Sequence, residues 1–388
     1  MKKLANHIML VIISFSFCLI NNSCTHNTVS QNVNAEMIDS LVPKYSHNFR
    51  VDYYDGYKVV KVFSGKDGKT VTSYLLCPAK KVLPSGFESA VRINFPASHI
   101  ACMSTTHIGA MQLLDSRSMI VATTNKELIC DSMVRDMIVL GLIKDAGKDY
   151  QPDYEIIAQS KPDLLFSDGE NTGSSQILIK MKALGVKVVG SRDYFEQEPL
   201  ARAEWVKFFA VFVAKENQAD SLFKVVEASY LMQKKQIAET GERPTVFCNL
   251  PYSGVWYMPC GENYVAKLII DAGAQFLWNE EKPINGLNLT LNFEQVYQRA
   301  ADADFWINTS TYSDLRQIES MDAKFKLFKA FKTGKVYNCT KRLSPGGGMD
   351  IWETGTFRPD IVLSDLALIF HYKDDLQPAK LYYYKQIR

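Results

Sequence analysis

The segment PLARAEWVKFFAVFVAKENQADSLFKVVEASYLMQKKQIAET, residues 199–240, decides the fold of this chain. Its apolar residues recur at helical spacing, and Pro199 stands where a helix begins well. A break at Lys215–Asn217 divides the segment into two helical parts. The sequences on either side have the patterns of separate α/β units. We therefore predict two lobes joined by a stiff helical connector, with a cleft between them that admits small ligands.

The length and net charge of the chain indicate how many domains it has and which partners it binds. At 388 residues it exceeds what one hydrophobic core usually supports, so two domains are expected. Its 44 basic and 42 acidic residues give a net charge of only +2, which leaves no excess positive charge to hold a polyanion. We expect no nucleic-acid partner, and we expect the protein to be a monomer.

The N-terminus has the pattern of an export signal. Positive charge at Lys2 and Lys3 precedes an apolar run over residues 9–20, which is too short for a membrane span and suits a signal peptide. Cys24 then stands where bacterial lipoproteins carry a lipidated cysteine, although an ordinary cleaved signal with an incidental cysteine is the alternative. We predict a signal peptide over 1–24, a flexible polar tether over 25–45, and a periplasmic or cell-envelope location with lipid anchoring at Cys24.

Strand and helix patterns alternate on both sides of the connector, over residues 46–198 and 241–388. Such alternation predicts an α/β fold of two Rossmann-like lobes with mainly parallel sheets. Val91–Phe95 is expected to be the first parallel strand of lobe one. The strand patterns at Tyr57–Phe63 and Val71–Leu76 are expected to be an addition before that sheet.

Several short motifs are similar, in order and spacing, to those of the helix-braced (class III) substrate-binding proteins of ABC importers. The resemblance covers residues 88–372 and is carried by Lys161-Pro162-Asp163-Leu164-Leu165, Leu184-Gly185-Val186-Lys187-Val188-Val189, Arg243-Pro244-Thr245-Val246-Phe247, Leu291-Asn292-Phe293-Glu294-Gln295-Val296, Lys332-Thr333-Gly334-Lys335-Val336-Tyr337 and Arg358-Pro359-Asp360. It implies a binding protein for a ferric siderophore, haem or cobalamin that delivers its ligand to an ABC permease.

The ligand site is expected beyond the carboxyl ends of the parallel strands, where open α/β sheets bind their ligands. Aromatic side chains there suit a large, flat chelate, and an arginine suits its planar oxygens. Two alternatives remain open, because two of the four aromatic residues would equally well pack as core and the arginine would form a salt bridge within its lobe. The predicted ligand contacts are Ser98, His99, Tyr252, Trp256, Tyr257, Trp352 and Arg358.

Catalytic and metal motifs are missing from the sequence. No Cys-x-x-Cys pair, nucleophile elbow or phosphate loop occurs, so we predict no enzyme, no catalytic residue and no cofactor. His99 and His107 lack a third converging ligand, so we predict no direct metal site, and His107 is expected to face its own helix. His99 as an axial ligand to haem or cobalamin stays open. At most one disulfide is expected, between Cys248 and Cys260.

Two further functions stay open as alternatives. One is an importer component that binds zinc or manganese, and the other is an oxidoreductase that holds a cluster or tetrapyrrole between the lobes. The family resemblance also implies that acidic side chains on the top of each lobe meet arginines of the permease. The candidates are Glu170 in lobe one and Asp314 or Glu319 in lobe two, with ordinary solvated helix caps as the alternative.

Overall fold

The first described residues form a five-stranded sheet that precedes both lobes. The computed structural model describes residues 36–64, 69–81, 85–168, 174–239, 241–282, 288–371 and 380–388, so the predicted signal peptide and Cys24 lie outside it. The sheet is antiparallel except for its last pair, which is parallel. Its strands are, in spatial order, β1 (Asp39–Leu41), β2 (Phe49–Tyr54), β3 (Tyr57–Ser64), β4 (Lys69–Cys77) and β5 (Val91–Asn94).

Lobe one is built on a parallel five-stranded sheet in the order β12-β11-β6-β7-β8. Val91–Asn94 does not belong to this sheet, so that part of the prediction is wrong: this strand extends the preceding sheet as β5. The elements of lobe one are β6 (Ile100–Cys102), α1 (Thr105–Leu113), β7 (Ile120–Thr123), α2 (Ser132–Val139), β8 (Lys144–Asp145), β9 (Gly147–Lys148), β10 (Gln151–Pro152), α3 (Tyr154–Gln159), β11 (Leu164–Ser167), α4 (Ser174–Ala183) and β12 (Val188–Gly190).

The connector comprises α5 (Pro199–Glu204), α6 (Val206–Phe212) and α7 (Glu216–Ala238). It breaks where the sequence predicts, because Ala214 takes a left-handed φ of 56° and ends α6. The 23 residues of α7 make a rod of about 35 Å. Along it, Ala219, Phe223 and Val226 are buried at helical spacing, and that buried stripe fixes the helix against the lobes.

Lobe two repeats the alternation around the sheet β15-β13-β17-β18-β19, which is parallel except for its last pair. A separate two-stranded antiparallel sheet pairs β14 with β16, and α13 packs along α7 and α8. The predicted fold class, two α/β lobes with mainly parallel sheets joined by one long helix, is confirmed. The elements are β13 (Thr245–Cys248), β14 (Trp256–Pro259), α8 (Tyr264–Asp271), β15 (Gln275–Phe276), β16 (Asn288–Leu291), α9 (Phe293–Ala300), β17 (Phe305–Ile307), α10 (Leu315–Met321), α11 (Lys329–Lys332), β18 (Val336–Asn338), α12 (Asp350–Glu353), α13 (Pro359–His371) and β19 (Lys385–Gln386).

The last residues assigned to the tether are ordered against the connector. Residues 39–41 form β1, and the backbone N–H groups of Lys44, Tyr45 and Ser46 all donate to the carboxylate of Glu204, at 3.0, 2.8 and 3.2 Å. Glu204 is fully buried and is also paired with Lys207. The prediction of a flexible tether up to residue 45 is therefore wrong for residues 39–45. They form β1 and then donate backbone hydrogen bonds to the buried carboxylate of Glu204.

We predict that Glu204→Ala lowers the free energy of unfolding by about 3 kcal/mol, because it leaves buried backbone donors without an acceptor. Guanidinium denaturation followed by circular dichroism measures this loss. Glu239→Ala is the matched control, since Glu239 is an exposed glutamate at the end of α7, and it should change stability by less than about 0.5 kcal/mol. Equal stability of the two variants would contradict a structural role for Glu204.

Candidate ligand-binding cleft

A cavity of about 360 Å³ lies between the two lobes, and its volume falls within the usual range for small-molecule sites. One wall comes from the loop after β12 and from the connector, and the other comes from lobe two. The lining residues are Tyr194, Phe195, Glu196, Gln197, Arg202, Asn249, Pro259, Glu262, Asn263, Tyr264, Val265, Asn288, Asn308, Ser310, Cys339, Met349 and Trp352.

The lobe-two wall is formed where three parallel strands end. Asn249 follows β13, Asn308 follows β17 and Cys339 follows β18, so the cavity lies at the carboxyl edge of the sheet. Asn249 and Asn308 have left-handed φ values of 67° and 59°, and Ser310 has 63°. Asparagine tolerates this conformation better than most residues, and such backbone geometry concentrates at functional sites.

Hydrogen bonds hold these edge residues in place. The amide of Asn249 donates to the carbonyl of Tyr257 at 2.7 Å, and its own carbonyl accepts the indole N–H of Trp306 at 2.7 Å. The Asn308 side-chain oxygen accepts the hydroxyl of Tyr384 at 3.0 Å. The lobe-two wall is therefore preorganised, which reduces the entropy that binding must cost.

Arg202 is the fixed cation of the opposite wall. Its guanidinium donates to the carbonyls of Asp193, at 3.1 Å, and Tyr194, at 2.5 Å. It also lies 4.3 Å from the centre of the Tyr264 ring on α8, a cation–π contact that joins the connector to lobe two. Burial raises the pKa of Tyr264 to about 12, so its ring stays neutral.

The charged residues of the cavity wall give it no net positive charge. The lining includes one basic residue, Arg202, and two acidic residues, Glu196 and Glu262, and the other lining residues in the described part of the chain are neutral. The Glu196 carboxylate accepts the hydroxyl of Ser46 at 2.5 Å and the indole N–H of Trp205 at 2.9 Å. Neutral side-chain amides also line the cavity, and they come from Gln197, Asn249, Asn263, Asn288 and Asn308.

The four predicted aromatic contacts separate into different environments. Trp352, at the end of the short helix α12, lines the cavity with 37% of its surface exposed. Tyr252, 76% exposed, and Tyr257 on β14 lie outside the lining set. Trp256 is fully buried, and its indole N–H donates to the carbonyl of Cys248 at 2.9 Å. Trp256 is therefore a core residue, and its prediction as a ligand contact is wrong because β14 turns this side chain inward.

Ser98 and His99 lie at the other edge of the lobe-one sheet. Because the lobe-one sheet begins with β6 and not with β5, both residues precede the first strand of that sheet instead of following it. Their backbone N–H groups donate to the carboxylate of Asp163, at 2.8 and 3.0 Å, just before β11. The prediction that they stand at the carboxyl edge, and hence at the cleft, is wrong.

Arg358 is occupied by a neighbour within its own lobe. Its Nε and Nη2 atoms donate to the two carboxylate oxygens of Asp360, each at 2.9 Å. Arg358 is also absent from the set of described residues that line the cavity. This geometry matches the alternative of an intralobe salt bridge, so the structure does not bring Arg358 to the ligand.

His107 is fully buried on α1, and its Nε2 lies 3.2 Å from the carboxylate of Asp168. It therefore contacts the end of β11 and does not face its own helix as predicted. Within the described ranges, no group of three or more His, Cys, Asp or Glu side chains is placed to hold a metal ion. Cys248 and Cys260 are both buried and no disulfide joins them, so the predicted disulfide between them is wrong.

The amino-acid sequence matches a known protein family. The family profile described as periplasmic binding protein matches residues 100–343, a span that begins at β6. The chain belongs to the periplasmic binding protein family. An uncharacterized lipoprotein of Methanocaldococcus jannaschii is 29% identical over 377 residues, covering 91% of this chain and 86% of that protein.

Three solved structures share the fold of this periplasmic binding protein. A Staphylococcus aureus protein complexed with heme has a TM-score of 0.52 at 15% identity, and it covers 71% of this chain and 99% of its own. A periplasmic vitamin B12 binding protein of Vibrio cholerae gives 0.51 at 13%, covering 71% and 98%. A triscatecholate siderophore binding protein of Bacillus subtilis gives 0.51 at 17%, covering 71% and 95%. At these sequence identities the similarity shows a shared fold and nothing about the ligand.

The two described acidic candidates for permease docking, Asp314 and Glu319, are not among the residues that line the cavity. Asp314 caps α10 and pairs with Arg316, and Glu319 pairs with Lys326 at 3.0 Å on the surface of lobe two. Glu170 lies outside the described residues. Their role in docking stays a prediction. In the described part of the chain, no helix combines the length and apolarity needed to cross a bilayer.

The list of ligand contacts predicted from the sequence does not include the strand-end asparagines Asn249 and Asn308 or the connector cation Arg202. Asn249 and Asn308 each follow a short apolar strand directly, which was a usable signal for the carboxyl edge. Arg202 gave no such signal, because it lies within a helical pattern whose other residues are core. Only the fold shows that it faces Tyr264 across the lobes.

We predict that Trp256→Ala lowers the free energy of unfolding by about 3–5 kcal/mol, since it leaves a large cavity beside Phe247 and Trp306. Tyr252→Ala, in the exposed loop before β14, should change it by less than about 0.5 kcal/mol. Thermal or denaturant unfolding of the two variants measures both values. A Trp256→Ala protein as stable as the wild type would contradict the assignment of Trp256 to the core.

Proposed function

We propose that this protein is the substrate-binding component of an ABC importer, which captures a metal chelate or corrinoid in the interlobe cavity and delivers it to the permease. The observation that carries the proposal is the cavity itself, which combines the carboxyl edge of lobe two, the Trp352 indole and the connector cation Arg202. Three proteins with the same fold, one complexed with heme, one that binds vitamin B12 and one that binds a siderophore, support it. Lipid anchoring through Cys24 would keep the protein beside the permease.

The arrangement of the cavity favours binding over chemistry. Arg202 and Glu196 are both held by hydrogen bonds to the protein, and the cavity residues around them are mainly amides and aromatic rings. Amides and rings bind and orient a ligand but neither donate nor remove protons readily at neutral pH. The cavity therefore suits a carrier that releases its ligand unchanged.

Among the three ligand classes, the cavity lining favours the least charged. Haem carries two carboxylates and a ferric triscatecholate carries several negative charges, and burying such charge requires cations in the wall. Arg202 is the basic side chain among the described lining residues, and two carboxylates accompany it. The peripheral carboxamides of a corrin ring match the donors and acceptors of Asn249, Asn263, Asn288 and Asn308. We therefore rank a corrinoid first.

We predict that the purified mature protein binds cyanocobalamin more tightly than haemin or a ferric triscatecholate, as measured by calorimetry. Trp352→Ala should weaken this binding at least about tenfold, because a half-exposed indole at a cavity wall supplies a large contact area. Tyr252→Ala should leave the affinity unchanged.

Failure of all three ligands to bind would contradict the proposal. Tight binding of haemin alone would keep the carrier function and overturn the ranking of ligands. A larger loss from Tyr252→Ala than from Trp352→Ala would move the site to the loop before β14.

We further predict that combining Glu170→Ala with Asp314→Ala and Glu319→Ala lowers transport by the cognate permease in proteoliposomes without changing ligand affinity. The physical reason is that permease arginines would lose their anionic partners on both lobes. Lys326→Ala is the control, since it frees Glu319 from its ion pair while keeping the carboxylate. Unchanged transport in the triple variant would show that other surfaces dock the permease.

A further inference from the structure

Glu353 joins the two lobes through a buried carboxylate. It belongs to α12 of lobe two, its side chain is 0% exposed, and it reaches the start of α2 in lobe one. Its Oε2 accepts the backbone N–H of Cys130 at 2.6 Å, and its Oε1 accepts that of Asp131 at 2.8 Å. We call these three residues the interlobe clasp.

Close backbone contacts on both sides surround the clasp. The hydroxyl of Thr106 on α1 donates to the carbonyl of Trp352 at 2.9 Å, and the N–H of Gly346 donates to the carbonyl of Glu127 at 3.0 Å. A Cβ atom on Gly109 would lie 1.9 Å from the carbonyl oxygen of Glu353. The loop at Gly346–Gly348 is packed against Glu127 and Leu128 of lobe one.

The clasp lies next to the cavity along the chain. Glu353 follows Trp352 directly, and Met349 on the other side of α12 also lines the cavity. Opening the clasp would therefore move the Trp352 indole and widen the gap between the lobes. We propose that Glu353 is a positioning residue, which holds Trp352 at the cavity and clasps the lobes more tightly as the pH falls.

The sign of the pH effect follows from the surroundings of the carboxylate. Burial, together with Asp350 and Asp131, raises the pKa of Glu353 to about 7, against the opposing effect of its two N–H donors. In an opened clasp the side chain meets water and its pKa returns toward about 4.3. The clasped form therefore binds the proton more tightly. Its relative stability is greatest in acid and is lost as the pH rises through about 7.

Other charged groups near the clasp already have partners. Asp350 pairs with Arg342, Asp131 pairs with Arg117, and Glu127 pairs with Lys148. Arg135 donates to the carbonyls of Ile129 and Cys130, and His107 on α1 is turned toward Asp168. Burial raises the pKa of the Cys130 thiol to about 12, so it stays neutral. Titration of Glu353 is therefore expected to change the stability of the interlobe clasp.

Hydrogen–deuterium exchange of the ligand-free protein tests the clasp, with protection factors corrected for the intrinsic effect of pH. We expect protection of residues 127–131 and 344–357 to fall roughly tenfold or more between pH 5.5 and pH 8.5. In Glu353→Gln this dependence on pH should disappear, because the amide does not titrate. Glu127→Gln is the matched control and should keep the wild-type dependence.

A second variant keeps the test valid if Glu353→Gln does not fold. Thr106→Ala removes a neutral interlobe hydrogen bond, so it should lower protection at every pH and leave the slope against pH unchanged. The same pH dependence in Glu353→Gln as in wild type would overturn the proposal. Loss of the slope in Thr106→Ala would overturn it as well.

The effect of the clasp on ligand binding rests on the proposed carrier function. Wild-type protein should bind cyanocobalamin more tightly at pH 5.5 than at pH 8.5, and Glu353→Gln should bind it equally at both. Hydrogen–deuterium exchange of the ligand-free protein tests the clasp independently of the carrier function. Normal exchange behaviour with no cyanocobalamin binding would contradict the carrier function alone, and unchanged exchange in Glu353→Gln with normal binding would contradict the clasp alone.

Discussion

The packing of α6 is the constraint on which the rest of the structure depends. Its side chains from Val206 to Phe212 are buried apart from Lys207, as expected for a helix surrounded by other elements. Phe208 contacts Phe49 of the first sheet, Phe209 contacts Phe166 of the lobe-one sheet, and Phe209 also meets Phe357 of lobe two. One short helix therefore packs against the first sheet, the lobe-one sheet and lobe two. It therefore links the first sheet and lobe one directly to lobe two.

Lobe movement is limited from two directions. On one side α7 and α13 pack along each other, and on the other side Glu353 and the loop at Gly346–Gly348 contact lobe one. A ligand that enters between such lobes meets walls that are already formed. Recognition must then come from groups fixed in advance, which explains why the strand-end asparagines are held by hydrogen bonds before any ligand is present.

The sequence predicted the arrangement of helices and strands in this protein better than it predicted the residues of the binding site. Periodicity located the connector, its break near Ala214 and the alternating lobes, because buried helices and parallel strands leave regular apolar patterns. It could not decide which sheet a short apolar strand joins. Val91–Asn94 and Ile100–Cys102 have equally plausible strand patterns, and only tertiary pairing assigns the first to the preceding sheet. The misplacement of Ser98 and His99 follows from that one ambiguity.

The aromatic residues illustrate the same limit at the level of single side chains. Trp256 and Tyr257 are neighbours on β14, yet the alternation of a strand buries one and exposes the other, so composition alone could not separate core from surface. Trp352 has no strand to orient it. Its position depends on α12, a helix of only four residues that is anchored by the buried carboxylate of Glu353. The aromatic wall of the cavity is therefore set by a polar contact between the lobes, and its geometry depends on the protonation of an acid that the ligand itself need not touch.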